Sequence, residues 1–291
     1  MGREKFCSMR FSGERALFQK KSAIIEDSIF EDGESPLKEC FDIEVHRSAF
    51  KWKYPIWYSN KIVLENCLLS EMCRAALWYC NDIVAKDVVI NAPKTVRRCT
   101  NLKFENVSFF DGPETLWFCD GVELKHIIAK GDYFAMNSKN IEVDNLDLVG
   151  KYSFDGVENV VIRNSRLVTK DAFWNSKNVT VYDSYIGGEY LGWNAENLTL
   201  VNCTIESLQG LCYIKNLKME NCKLENTTLS FEYSEVDATI IGHVDSIINP
   251  KCGCIKADSI GALIIESDKV NAEDTEIICS KIDRVLDRPP Y

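Results

Sequence analysis

The aromatic residues of this chain recur at a fixed spacing that could create a ligand-binding surface. Successive members of this first column lie 19 to 21 residues apart: Trp57, Trp78, Arg97, Trp117, Met136, Asp155, Trp174, Trp193 and Cys212. A second set of aromatic residues, three positions earlier, contains Tyr54, Tyr133, Tyr152 and Tyr190. Flat rings can stack on the apolar faces of sugars, and charged groups orient hydroxyls or carboxylates. The predicted ligand-binding residues are Tyr54, Trp57, Trp78, Arg97, Trp117, Tyr133, Tyr152, Trp174, Tyr190 and Trp193.

Three carboxylates near these columns are the candidates for catalysis. Hydrolysis of a glycosidic bond requires two carboxyl groups ~5–9.5 Å apart, one as an acid and one as a base or nucleophile. Asp155 and Asp171 fall in neighbouring repeats, and Glu114 lies two repeats from Asp155. The alternative is that these side chains are simply solvated, as surface carboxylates usually are.

Metal and cofactor chemistry finds little support in the sequence. The chain has 13 cysteines and three histidines, and its closest cysteine pair is Cys252-Gly253-Cys254, with no second pair to complete a zinc site. No metal and no cofactor are predicted. An odd number of cysteines in a chain without a secretory signal is typical of reduced thiols rather than of a disulfide framework.

A repeat of about nineteen residues must position these side chains. Each copy carries the pattern apolar-x-apolar-x-Asn/Asp-small-x-apolar, as in Leu198-Thr-Leu-Val-Asn-Cys-Thr-Ile205. The first apolar residues, here called anchors, are Ala23, Ile43, Ile62, Ile83, Leu102, Val122, Ile141, Val160, Val179, Leu198, Leu217, Val236 and Ile255. Apolar and polar residues alternate as in a strand, and one such unit cannot bury its own apolar face. The sequence therefore predicts an all-β fold, a right-handed parallel β-helix of 12–13 coils of 19–21 residues.

Stacked coils bring equal repeat positions together, so the columns can be assigned to the inside or the outside. The position six before each anchor is apolar, as in Ile56 and Leu77, and should point inward. Strand alternation then places the following residue, in the first column, outside. A column of asparagine and aspartate four residues after the anchor predicts a bend, because asparagine tolerates the left-handed backbone conformation.

The predicted domain organisation is a single β-helix domain over residues 1–291. Residues 23–263 form the coils. Residues 1–22 and 264–291 are expected to be caps over the two open ends, because uncapped edge strands promote aggregation.

Composition excludes several classes of partner. The formal net charge of −10 disfavours binding to nucleic acid or to an anionic membrane surface. No segment reaches the ~18–20 consecutive apolar residues of a membrane span, and the charged N-terminus does not resemble a secretory signal. A cytoplasmic location is expected.

Several segments of the sequence resemble an uncharacterised bacterial family with a pectin-lyase-like right-handed β-helix. The resemblance is carried by Asp32-Gly-Glu-Ser-Pro-Leu-Lys-Glu39, Trp52-Lys-Tyr-Pro-Ile-Trp-Tyr58, Arg74-Ala-Ala-Leu-Trp-Tyr79 and Asp111-Gly-Pro-Glu-Thr-Leu-Trp117, and it extends over the whole chain. It implies the fold but no activity, so no catalytic residue is transferred from it.

Two functions remain open on this evidence. The first is a carbohydrate-binding, and potentially carbohydrate-active, protein whose aromatic columns contact an oligosaccharide. The second is a non-enzymatic scaffold in which the same columns form a homodimer interface, or lie in the core as an internal aromatic stack.

Overall fold

A computed structural model describes residues 2–288, which form two compact units, residues 2–149 and 150–288. Among the described residues, the only helix is a short 3-10 turn at Ala272–Asp274, and β-strands form the rest of the regular structure. No helix in residues 2–288 has the length and apolar character needed to cross a membrane. The prediction of a single domain stays a prediction.

In the first half of the chain, the anchor strand and the strand after the bend are separate until the fourth repeat. From the strand Asn81–Ile90 onward they merge into strands of 10 to 13 residues. The strands of this half are β1 (Glu4–Cys7), β2 (Arg10–Phe11), β3 (Lys21–Glu26), β4 (Ile29–Phe30), β5 (Phe41–His46), β6 (Ala49–Phe50), β7 (Ile56–Trp57), β8 (Asn60–Glu65), β9 (Leu68–Leu69), β10 (Leu77–Trp78), β11 (Asn81–Ile90), β12 (Val96–Arg97), β13 (Thr100–Phe109), β14 (Asp120–Lys130) and β15 (Lys139–Lys151).

The second half of the chain continues the same alternation of strands and tight bends. Its strands are β16 (Glu158–Arg163), β17 (Arg166–Lys170), β18 (Lys177–Tyr182), β19 (Tyr185–Gly187), β20 (Glu196–Val201), β21 (Thr204–Glu206), β22 (Lys215–Leu224), β23 (Glu235–Ile240), β24 (His243–Ile248), β25 (Cys252–Lys256), β26 (Ser259–Ile264), β27 (Thr275–Ile278) and β28 (Lys281–Leu286).

Every strand pairs in parallel with the strand one repeat away, and the register follows the anchors. In the first unit Ile83 pairs with Ile62 on one side and with Leu102 on the other. In the second unit Leu198 lies between Val179 and Leu217. The described residues form a parallel β-solenoid of about fifteen turns. The predicted all-β, parallel β-helix fold is confirmed.

The core is built from the inward positions that the alternation predicts. Leu198 and Leu200 have no exposed surface, whereas Thr199 between them is half-buried. Equal positions also stack along the core: the rings of Phe30 and Phe50 lie 4.5 Å apart and 2° from parallel. Apolar burial of this kind is the main favourable contribution to folding.

The bends after the anchor strands are formed by the predicted polar column. Asn106 and Asn202 have φ angles of 54°, in the left-handed region that asparagine adopts more readily than most residues. Their side-chain amides donate to the carboxylates one coil before, Asn106 to Asp87 at 3.0 Å and Asn202 to Asp183 at 2.9 Å. Each bend is therefore hydrogen-bonded to its neighbour along the stack.

A column of small residues three before the anchor closes the opposite corner. Cys80, Cys99 and Cys119 occupy it in successive coils, each at most 2% exposed. The Cys99 thiol donates to the carbonyl of Leu77 and accepts from the backbone N–H of Cys80. All 13 cysteines lie within the described part of the chain, and all are free thiols. They fill tight corners as small polarisable groups.

Both ends of the described chain differ from the sequence prediction. Strand β1 pairs in register with β3, and β27 and β28 pair with β25 and β26, so these segments are the first and last coils rather than caps over them. Met1 and residues 289–291 of the predicted caps lie outside the described residues. The last anchor is also shifted: Val236 pairs with Gly253, 17 residues later, and Ile255 pairs with Ala238. This coil is two residues shorter than the usual repeat of nineteen.

Substitutions along β20 should test the inward and outward assignment. Leu200→Asp introduces a carboxylate without a partner at a site with no exposure, and it should lower the free energy of unfolding by several kcal/mol, or raise the carboxylate's pKa by an equivalent amount. Thr199→Asp, at the half-buried neighbour, should cost less than about 1 kcal/mol. Urea denaturation measures both, and equal tolerance of the two changes would show that the alternation is out of phase.

Thiol labelling should separate the core cysteines from the accessible ones. Nine of the 13 cysteines are buried, three are partly exposed and Cys7 is exposed. Burial raises the pKa of Cys40 and Cys73 to about 11 and that of Cys212 to about 12, which keeps these groups as unreactive thiols at neutral pH. A thiol reagent should modify at most four cysteines in the native protein, with Cys7 first, and all of them after denaturation. Rapid native labelling of Cys80, Cys99 and Cys119 would contradict the inward column.

Candidate functional site

The first column lies on the outside of the first unit, held by a buried residue before each member. Ile56, Leu77 and Val96 have no exposed surface and lead directly into Trp57, Trp78 and Arg97. These dipeptides form the strands β7, β10 and β12, which pair in parallel, and Arg97 bridges to Trp117. The side chains of the column are half-buried.

The rings and the guanidinium of the first column form one continuous stack in this unit. The rings of Trp57 and Trp78 are 5.4 Å apart between centroids and 2° from parallel. The guanidinium carbon of Arg97 lies 4.7 Å from the ring centroid of Trp78 and 4.5 Å from that of Trp117. A cation between two indoles is a favourable cation–π arrangement on both of its faces. Tyr54 packs against Trp57, and Tyr133 packs edge-on against Trp117.

The stack is an offset one, and part of each ring face stays uncovered. Parallel rings in van der Waals contact are ~3.5 Å apart, so the 5.4 Å centroid separation of Trp57 and Trp78 implies a lateral offset of about 4 Å. Each indole therefore covers only part of the face of its neighbour. This geometry agrees with their half-buried state and leaves aromatic surface that a ligand can contact.

Each indole N–H of the column is already used by the protein. Trp78 donates to the carbonyl of Lys94 at 2.8 Å, and Trp117 donates to the carbonyl of Tyr133 at 2.6 Å. Each of these bonds joins one coil to the next and fixes the angle of the ring. The column can thus offer ring surface to a ligand, while its indole donors are committed to the structure.

A further outward column, which the sequence prediction missed, runs beside the first. Its members are Tyr58, Tyr79, Arg98 and Phe118, each directly after a first-column residue and each with a φ angle between 52° and 59°. A left-handed residue interrupts the alternation, so two successive side chains point outward. Tyr58, Tyr79 and Phe118 are 50%, 38% and 47% exposed. The repeated dipeptides Trp-Tyr, Trp-Tyr, Arg-Arg and Trp-Phe were the available signal.

The two columns together form what is called here the aromatic face of the first unit. The rings of Tyr58 and Tyr79 stack 4.8 Å apart and 4° from parallel. The guanidinium carbon of Arg98 lies 5.5 Å from the ring centroid of Phe118. The aromatic face therefore contains exposed rings, exposed tyrosine hydroxyls and one exposed guanidinium.

Glu114, a predicted catalytic candidate, is an ion-pair partner at the edge of this face. Its Oε2 lies 3.1 Å from Arg97 and 3.2 Å from Lys94. The Nε of Arg97 is buried and has no hydrogen-bond partner within the described structure. Two cations contact one carboxylate oxygen, which suits a positioning role for Glu114 and Arg97.

The second unit repeats the first-column arrangement around a different set of residues. The rings of Trp174 and Trp193 lie 5.8 Å apart and 10° from parallel, and their indoles donate to the carbonyls of Tyr190 and Gln209. Tyr152 packs edge-on against Trp174, with centroids 6.4 Å apart. The ten predicted binding residues thus fall into two clusters, six in the first unit and four in the second.

The catalytic candidates Asp155 and Asp171 lie beside this second cluster. Asp155 is half-buried, and burial is the main cause that raises its pKa. Asp171 is only 2% exposed, and burial likewise raises its pKa, with Asp155 and Glu189 adding to the effect. Only a small group can reach a carboxyl at this depth, so Asp171 is a poor catalytic candidate for a bond between sugar rings.

A groove on the first unit also escaped the sequence prediction. It has a volume of about 730 Å³ and follows the bend after the anchor strands, between polar residues such as Arg47 and Asn66 and the aliphatic side chains of Leu68 and Val89. Among residues 2–288, no group of three or more histidine, cysteine or carboxylate side chains is arranged to hold a metal ion.

The chain belongs to a family described as protein of unknown function (DUF3737), whose model matches residues 4–278. This match confirms the resemblance to an uncharacterised family over nearly the whole chain. A search of curated proteins finds no significant match.

Several solved structures have a similar arrangement at very low sequence identity. They include PfbA, a surface adhesin of Streptococcus pneumoniae, at 9% identity and a TM-score of 0.36, with 96% of this chain and 83% of that chain covered. The A-module of the mannuronan C-5 epimerase AlgE6 of Azotobacter vinelandii matches at 9% identity and 0.37, with 100% and 92% covered. A hyperthermoactive exopolygalacturonase from Thermotoga maritima matches at 10% and 0.29, with 100% and 84% covered. TM-scores below 0.5 carry no information about the function of this chain.

Removing the cation from the stack should test whether Arg97 holds the aromatic face together. Arg97→Gln loses the contacts with Trp78 and Trp117 and should lower the free energy of unfolding by about 1–3 kcal/mol. Arg98→Gln, whose guanidinium is exposed over one ring, is the matched control and should cost less than about 1 kcal/mol. Urea denaturation and the tryptophan emission spectrum report the change, and equal losses for the two variants would refute the positioning role of Arg97.

Proposed function

We propose that this chain is a carbohydrate-binding protein that contacts a short oligosaccharide along the aromatic face of its first unit. The observation that carries the proposal is the offset stack of Trp57 and Trp78 beside the exposed rings of Tyr58 and Tyr79. Uncovered ring surface next to hydroxyl and guanidinium donors is the composition that a sugar chain requires. The proposal does not include catalysis, because Glu114 is held in two ion pairs.

The dimensions of the face support an extended ligand that runs along the solenoid axis. Trp57 and Trp117 are separated by three coil spacings, which at ~4.8 Å per coil amounts to about 14 Å. The exposed guanidinium of Arg98 lies within this span, where it can pair with a carboxylate of an acidic sugar. An oligosaccharide that carries uronic acids is therefore the preferred ligand.

A second candidate function is a homodimer interface on the same face. It is favoured by the exposure of Tyr58, Tyr79 and Phe118, since tyrosine, tryptophan and arginine are enriched at the centres of protein interfaces. The two functions differ in what covers these rings in solution: a second copy would shield them before any sugar is added.

Calorimetric titration with tetragalacturonate and with cellotetraose should test the proposal. We expect wild-type protein to bind the acidic oligosaccharide more tightly. Tyr79→Ala, which removes an exposed ring, should weaken binding at least tenfold with little change in melting temperature. Phe110→Ala is the matched control, because Phe110 is 54% exposed on the same unit but is not part of the aromatic face.

The oligomeric state, measured by light scattering, separates the two candidates. A dimer that Tyr79→Ala converts to a monomer, with no sugar bound by either, would establish the interface and overturn the carbohydrate proposal. Unchanged sugar binding by Tyr79→Ala would remove the aromatic face as the binding site.

A further inference from the structure

The tryptophan side chains of the first column contact the next coil at the residue eight positions before its anchor. The indole of Trp174 donates to the carbonyl of the residue sixteen positions later, Tyr190, and the indole of Trp193 does the same to Gln209. Trp78 and Trp117 in the first unit follow the same offset. Consequently, a first-column side chain lies beside the residue that occupies this diagonal position.

In the first unit one of these diagonals carries a cation and an anion. Arg97 takes the place of an indole, and its guanidinium meets the carboxylate of Glu114 at 3.1 Å. Glu114 is seventeen positions later and holds the equivalent diagonal position, because this repeat is one residue longer than nineteen. The cation lies between two indole rings. At this position the repeat holds a guanidinium between two indole rings and beside a carboxylate.

In the second unit the equivalent diagonal carries two carboxyl groups. Asp155 is the first-column residue and Asp171 lies sixteen positions later, the offset at which the indoles make their contacts. Asp171 is 98% buried in the described structure, being 2% exposed, and its Oδ2 has no hydrogen-bond partner. An unpaired buried carboxyl oxygen is costly, and it usually marks a group whose partner is a ligand or a proton.

The charge of Lys170 acts to lower the pKa of Asp171, but the effect of burial is larger. Lys170 is the nearby cation, but its Nζ lies 2.7 Å from Glu189 and above the ring of Tyr190. Asn175 donates a neutral amide hydrogen to Asp155 at 3.2 Å. Burial is the main cause that raises the pKa of Asp155 and that of Asp171.

Aromatic rings complete the surroundings of the carboxyl pair. Trp174 follows Asp155 in the first column, and Tyr152 packs against Trp174. Rings beside carboxylates suit organic cations, which gain from cation–π contact as well as from charge pairing.

We propose that Asp155 and Asp171, with the rings of Tyr152 and Trp174, form a binding site for an organic cation that carries a guanidinium or a primary ammonium group. The ligand's cation pairs with these carboxyl groups as the Arg97 guanidinium pairs with Glu114 in the first unit. A metal ion is disfavoured, because the described residues provide no cluster of three or more histidine, cysteine or carboxylate ligands. This site is independent of the proposed sugar site on the other unit.

Titration with small cations, followed by nuclear magnetic resonance, tests this assignment. Methylguanidinium and propylammonium distinguish the two cation types, and methylurea is the uncharged match to methylguanidinium. We expect at least one of the cations, but not methylurea, to shift the indole N–H resonance of Trp174 saturably. Asp155→Asn should weaken this response at least fivefold, whereas Glu220→Gln, which removes an exposed carboxylate elsewhere on the second unit, should leave it unchanged.

Several results would overturn the assignment. They are an equal response to methylurea, no response to either cation, a full response in Asp155→Asn, or a saturable shift with calcium chloride alone. Asp171→Asn provides a second variant with the same expected loss, so that a folding defect in one variant does not decide the outcome. Because no sugar is present, failure here leaves the oligosaccharide proposal standing, and the reverse also holds.

Discussion

Parallel pairing of each coil with the coil one repeat away is the constraint on which this structure depends. Backbone hydrogen bonds fix the spacing between coils, so residues about nineteen positions apart become neighbours in space. A single column then behaves as one chemical unit: amides bond to carboxylates along the bends, thiols fill the corners and rings stack on rings. Each candidate site described above is formed by side chains from successive coils, because one coil contributes only one or two side chains to a given surface.

The sequence allowed the fold and most inward positions to be predicted, because alternation and spacing repeat many times and errors in one coil are corrected by the next. Buried Leu198 and Leu200 and the small column at Cys80, Cys99 and Cys119 follow directly from this periodicity. The prediction failed where the period itself changes. The coil that begins at Val236 is two residues shorter than the usual repeat, so the last anchor is Gly253 instead of Ile255.

The candidate site was predictable only in part. The first column was found from its tryptophans, but the neighbouring column was missed because Tyr58, Tyr79 and Phe118 adopt a left-handed conformation that strand alternation does not anticipate. The roles of the charged residues also required the structure. The diagonal contact shows that Arg97 and Glu114 pair, whereas Asp155 and Asp171 occupy the equivalent positions as two carboxyl groups. Their spacing in the sequence does not distinguish these two outcomes.

Hydrogen exchange of the indole N–H groups tests the central feature of this account, the contact from each first-column side chain to the next coil. Slow exchange is expected for the five column indoles, because each donates to a backbone carbonyl at 2.5–2.9 Å. They are Trp57, Trp78, Trp117, Trp174 and Trp193. Trp52, which lies outside the column, should exchange rapidly. Exchange of the five column indoles as fast as that of Trp52 would contradict the account, because the diagonal contact would then not exist in solution.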